Sequence, residues 1–109
     1  MAFEALTVSQ AFIEQLGGTC AQIALRDRDL ARQLRRAASS IVLNLAEGRQ
    51  RAGGDRGHAY RIAAGSAAEV TAALDVAVAW RHITRAQRAE LDTLLDRMRA
   101  MLWNLTHPK

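Results

Sequence analysis

Two stretches of this chain carry polar side chains at helical spacing inside apolar surroundings: Ser40, Asn44 and Glu47 in one, Ser66 and Glu69 in the other. Steps of three and four place such residues on one helix face. Two carboxylates converging in an apolar setting could form a general acid–base pair. Nothing around them supplies a nucleophile, an oxyanion site or a cleft, so the architectural reading is preferred. Polar groups in a core cost several kcal/mol, roughly 2–7, unless they are hydrogen-bonded. The five residues are therefore expected to join in a buried network between two helices. Arg36, one turn before Ser40, is the natural countercharge, and a protonated carboxylate is the other way to balance the site. No CxxC, HExxH or glycine-rich phosphate loop occurs. The Glu-x-x-His pairs of di-metal bundles are absent too: Glu4, Glu14, Glu47, Glu69 and Glu90 are followed three residues later by Thr7, Gly17, Gln50, Ala72 and Thr93. His58, His82 and His107 are scattered. No catalytic residue, metal or cofactor is expected, and the chain is read as a non-enzyme.

The elements that position these residues are helices. Ala and Leu dominate a chain of 109 residues that is 50% hydrophobic, and its single proline, Pro108, interrupts nothing. Residues 1–109 read as one all-α domain, an antiparallel up-down-up-down four-helix bundle. The first helix spans about Phe3 to Leu25, with Leu6, Ile13, Leu16, Cys20 and Ile23 on one face. Gly17-Gly18 inside it marks either close approach of another helix or a local break. Asp29 is the expected N-cap of the second helix, which ends between Gly48 and Ala52. The third runs from about Asp55 to His82. Thr84 and Gln87 form a capping box for the fourth, whose stripe is Leu91, Leu94, Leu95, Met98, Met101, Leu102 and Leu105.

At about 100° per residue the second helix turns Leu30, Leu34, Ala37, Ile41, Leu45 and Gly48 to the core. The third aligns Ile62, Ala73, Val76, Ala77 and Trp80. Further apolar residues then lie outside these faces: Val42, Leu43 and Ala46 on the second helix, and Tyr60, Ala67, Leu74 and Val78 on the third. Exposed apolar patches mark interfaces. Val42, Leu43, Tyr60, Leu74 and Val78 are accordingly expected to mediate self-association, two different patches suiting a cyclic ring.

Charge is uneven. Residues 26–61 carry nine Arg against Asp27, Asp29, Glu47 and Asp55, a net +5 of the chain's +4 total, while residues 1–25 are net −2. Arg28, Arg32, Arg35, Arg49, Arg51 and Arg56 are the candidate phosphate contacts, because guanidinium binds phosphate bidentately and assembly would multiply the field. The competing explanation is compositional: fourteen of the fifteen basic residues are Arg in an Ala-rich chain. Stacking platforms are scarce, leaving Tyr60 and Trp103, so RNA or DNA binding would be electrostatic and shape-based. The longest run without charge, Gln15–Leu25, is too short to span a membrane, and no basic lead followed by an apolar run opens the chain. One unpaired Cys20 suits a reducing cytoplasm. No membrane partner is expected.

Residues 33–48, Gln-Leu-Arg-Arg-Ala-Ala-Ser-Ser-Ile-Val-Leu-Asn-Leu-Ala-Glu-Gly, resemble the hallmark of the four-helix-bundle family first noticed in intervening sequences of bacterial 23S rRNA genes, often labelled S23 ribosomal protein. Residues 61–69, Arg-Ile-Ala-Ala-Gly-Ser-Ala-Ala-Glu, resemble that family's second motif, and Phe3-Glu4-x-Leu6-x-Val8 its opening. Ser9 departs from the usual aromatic residue, the proline before helix two is missing, and Gly53-Gly54 replaces a polar linker. The resemblance implies a homopentameric ring. It also implies a relation to the accessory protein of diversity-generating retroelements, a basic pentameric barrel that works with a reverse transcriptase and nucleic acid. It supplies no catalytic residues, and its motif residues are read as architectural, with Gly48 as a helix stop and Gly65 as a packing site. The expected function is an oligomer that binds structured RNA or a nucleic-acid–protein complex. The rival is an oligomeric scaffold or adaptor that binds a partner protein and has no direct nucleic-acid role, its charge serving only solubility; a nucleic-acid-processing protein is the other partner considered.

Overall fold

Helix ends in this chain are set by identifiable hydrogen bonds. In the computed structural model, which describes residues 3–109, the helices are α1 (Glu4–Ala24), α2 (Arg28–Gln50), α3 (Gly53–Ala79) and α4 (Arg85–Thr106). Asp27, not Asp29, caps α2: its carboxylate accepts from the Leu30 N–H at 2.9 Å, and Asp29 falls in the first turn. The two aspartates are equivalent as residue types, and the short turn after α1 selects the earlier one. Gly53 adopts φ +60 as the chain turns into α3. Arg81 takes the left-handed conformation at φ 61 and ends α3 before His82. The N–H groups of Arg81 and His82 then reach back to the carbonyls of Val78 and Ala77, both at 2.9 Å, closing a Schellman turn. The α4 capping box forms: Thr84 Oγ1 accepts from the Gln87 N–H at 3.0 Å, and Gln87 Oε1 accepts from the Thr84 N–H at 2.8 Å.

Sequence neighbours pack against each other and α4 closes on α1, giving a bundle of 42 × 23 × 21 Å in which α2 and α3 share the most extensive seam. Side chains lock the seams that α4 makes with α1 and α3. Gln22 and Gln87 exchange amide hydrogen bonds, and Gln15 donates to the Glu90 carbonyl at 2.9 Å. Arg88 bridges Asp75 and Asp92, and Arg97 pairs with Glu4. The α4 stripe buries Leu91, Leu95, Met98 and Leu102, with Leu94, Met101 and Leu105 packed at its margin.

Three expectations change. The α1 core face is rotated: Val8, Ser9 and Phe12 are buried beside Leu16, Cys20 and Ile23, while Leu6 and Ile13 are half-buried. Gly17 and Gly18 neither break α1 nor admit a neighbour, since a Cβ on either would meet no atom within 4 Å. On α3 the two apolar stripes exchange roles. Tyr60, Ala67 and Leu74 are in the core and Val78 packs against it, so Tyr60, Leu74 and Val78 are not outward interface residues. Ile62, Val76 and Trp80 face out, Trp80 with 70% of its surface exposed. Only Ala77 of the expected face is fully buried, with Ala73 half-buried. The cause is composition. With alanine spread around α3, either stripe satisfies helical periodicity, and contacts with α2 and α4 make the choice. By length and apolar content α3 would also qualify as a membrane span, yet its buried side chains are the bundle core.

Candidate nucleic-acid interface

The polar motif divides at the α2–α3 seam. Ser66 Oγ donates to Ser40 Oγ at 2.8 Å, and Asn44 Nδ2 donates to the Ser40 carbonyl at 2.9 Å and to Ser40 Oγ at 3.1 Å. This part crosses between helices and is buried or half-buried. Neither carboxylate joins it. Glu47 is exposed and pairs with Arg51 one turn later at 2.7 Å, with 54% of each side chain accessible. Glu69 and Arg36 are both exposed and form no ion pair among the described residues. Hydroxyls and an amide satisfy one another in a narrow seam, whereas a carboxylate would be desolvated without a countercharge. A buried five-residue network with Arg36 as its counterion is therefore not what the fold builds.

Neither motif glycine takes its expected role. Gly48 lies inside α2, buried, where a Cβ would stand 2.5 Å from Tyr60 Cε1 and 3.3 Å from the Ala59 methyl. It is the close-packing residue. Gly65 is exposed, and a Cβ there would meet nothing within 4 Å.

The six candidate arginines form two groups. Arg28, Arg32 and Arg35, joined by Arg36, line a cleft of about 770 Å³ between α1 and α2. Its other walls are Ile13, Leu16, Gly17, Cys20, Ala21, Ala24, Ala31, Ala38 and Ser39, so among the described residues no carboxylate lines it. Arg28 to Arg35 spans roughly 10 Å along the helix at 1.5 Å per residue. At its floor burial raises the Cys20 thiol above its ordinary range, and the charge of Arg35 offsets only part of that rise. The thiol is free and held protonated at neutral pH.

The second group sits at the α2–α3 turn, about 20 Å further along α2. It is tied into the fold. Arg49 lies over the Phe3 ring, 5.6 Å from its centroid, and Arg51 holds Glu47. Arg56 Nε donates to the carbonyls of Gly48 at 3.2 Å and Arg51 at 2.9 Å, satisfying the end of α2. The six candidate arginines thus stand within one subunit as two separate patches, and among the described residues only the cleft patch is free of acidic partners. Tyr60 is buried beside Phe3; the exposed aromatic side chains are Trp103, stacked on His107 at 3.5 Å between centroids in the groove between α3 and α4, and Trp80 at the end of α3.

The α1–α2 cleft was missed in the sequence reading, although Gly17 and the row of alanines along both helices were its signal. Small residues leave a gap where larger ones would close the seam. Among the described residues no group of three His, Cys, Asp or Glu side chains converges as a metal site would require.

No curated protein matches the chain in sequence. A solved structure of a protein of unknown function from the S23 ribosomal protein family of Bacteroides thetaiotaomicron shares its fold, with a TM-score of 0.84 at 19% identity. The likeness covers 94% of this chain and 97% of that one. The 23S rRNA-intervening sequence protein family model matches residues 5–104, and with nearly its whole length matched the chain belongs to that family.

Proposed function

We propose that this protein is a non-enzymatic, self-associating helical bundle, a homopentameric ring in the reading implied by its family motifs, that binds structured RNA through the arginines of the α1–α2 cleft. The observation that carries this reading is the row Arg28, Arg32 and Arg35. These guanidinium groups share one cleft with no carboxylate among the described residues of its lining, whereas Arg51, Arg88 and Arg97 are neutralised by acidic neighbours. An unneutralised cationic row at helical spacing gains by releasing counterions from a phosphate backbone. A cytoplasmic setting belongs to the same reading and suits the single free thiol.

The test is binding to a structured RNA hairpin and a matched DNA duplex across a salt series, with particle mass measured in the same samples. Binding to the hairpin should weaken steeply with salt. Reversing Arg28, Arg32 and Arg35 to Glu should lower affinity at least tenfold and flatten the salt slope, while the same change at Arg51 and Arg56 should matter less. A well-assembled protein that binds neither nucleic acid at low salt overturns the RNA reading and directs attention to a partner protein.

A further inference from the structure

Two surface strips on either side of the α2–α3 seam remain unpartnered. On the outer ridge of α2 are Arg36 and Leu43, with Leu43 67% exposed. On the outer face of α3 are Ile62, Gly65, Glu69 and Val76, with Ile62 40% and Val76 41% exposed. Each strip carries one charge without an ion pair among the described residues, positive on α2 and negative on α3. Each also carries apolar surface, protruding at Leu43 and recessed at Gly65, where a side chain would meet nothing within 4 Å.

Their heights along the bundle agree. Ser40 bonded to Ser66, and Gly48 packed on Ala59 and Tyr60, set the antiparallel register of α2 on α3. In that register Arg36 lies within one turn of the height of Glu69, and Leu43 lies at a height between Ile62 and Gly65. Copies related by rotation about an axis parallel to the bundle keep their heights, so each residue meets the next copy at its own level. Two different strips meeting in this way make a heterologous contact, the kind that closes rings.

We infer that the occupant of the α3 strip is the α2 ridge of a second copy of this chain, with Leu43 seated between Ile62 and Gly65 and Arg36 paired with Glu69 across the interface. This rests on the self-association part of the function proposed above and names its surfaces. It accounts for the exposure of a carboxylate and a guanidinium that the sequence pattern places as partners: they pair between chains. It also leaves Arg28, Arg32 and Arg35 in their cleft.

The experiment is mass against concentration, by light scattering or native mass spectrometry, for the wild type, Arg36→Glu, Glu69→Arg and the double variant. All substituted positions are exposed, and helicity and thermal unfolding serve as folding controls. Each single variant should raise the dissociation constant at least tenfold, and the double variant should recover assembly. In a Trp103→Phe background, Leu43→Asp should abolish assembly, and Trp80 emission should shift with concentration only in the assembling forms. Single variants that assemble like the wild type, or a double variant that fails to recover, overturn the interface while leaving self-association standing. A wild type that stays at 12.0 kDa at every concentration defeats the self-association reading itself.

Discussion

The α2–α3 and α1–α2 seams use the same kinds of residue to opposite effect. In the first, Gly48 admits the Tyr60 ring, Ser40 and Ser66 share a hydrogen bond, and Ala59, Ala63 and Ala67 let the helices close. In the second, Gly17 faces open space, alanines line a cleft of about 770 Å³, and four arginines stand along it with no carboxylate among the described residues of its lining. A glycine in a helix interior costs about 1 kcal/mol against alanine. At Gly48 that cost is offset within the chain by packing, and at Gly17 it is not. Small residues whose cost the isolated fold does not recover mark the seam where an external ligand has room.

Matched substitutions sharpen this contrast. The largest effect is expected at the closed seam. Gly48→Ala drives a methyl into a ring that is itself buried, and overpacking of this kind costs about 1–3 kcal/mol; urea unfolding should show the midpoint falling accordingly. If Gly48→Ala proved neutral, the seam would be looser than its geometry. At the open seam the sign reverses. Gly17→Ala should stabilise the protein by about 1 kcal/mol, because α1 gains helix propensity and meets no atom. Destabilisation there would mean that the cleft closes in solution. Ser66→Ala should cost about 1 kcal/mol, measured in the same way, since it removes the hydroxyl–hydroxyl bond that joins the two helices. Asn44 remains to satisfy Ser40, which keeps the loss modest.

The smallest effect concerns pH at the cleft floor. Burial raises the Cys20 thiol, so the folded protein holds that proton to higher pH than the unfolded chain does. Its contribution is fully present below the unfolded value near pH 8.5 and is lost as pH rises toward the folded value. Stability measured from pH 8 to pH 10 should therefore decline less steeply in Cys20→Ala than in the wild type. Equal slopes would show that water reaches the thiol through the cleft.

Much of the architecture was legible in the residues. Thr84 and Gln87 announce the start of α4 because a capping box needs only four consecutive residues. The α2 core face, Leu30 to Gly48, and the α4 stripe follow from periodicity with polar residues filling the other sides. The site was legible only in part. Arg28, Arg32 and Arg35 share a face because they share a helix. Arg49 and Arg56 look equally free in sequence, but Phe3 and the carbonyls at the end of α2 engage them, whereas the pairing of Arg51 with Glu47 follows from their i,i+4 spacing. The partners of Arg49 and Arg56 are set by how the α2–α3 turn folds and by what α1 brings beside it.

By itself, then, the sequence determined four helices, most of their ends, and the buried faces of α2 and α4, because these depend on backbone hydrogen bonds and on contrast between apolar and polar sides. Tertiary structure alone decided which α3 stripe is buried, that Glu47 and Glu69 lie in water, and that Gly48 packs while Gly17 and Gly65 stand open. On an alanine-rich helix with two apolar stripes, propensity is the same for either rotation. Only the volume of Tyr60 and Leu74, filling the space left by α1, α2 and α4, makes one rotation lower in free energy than the other.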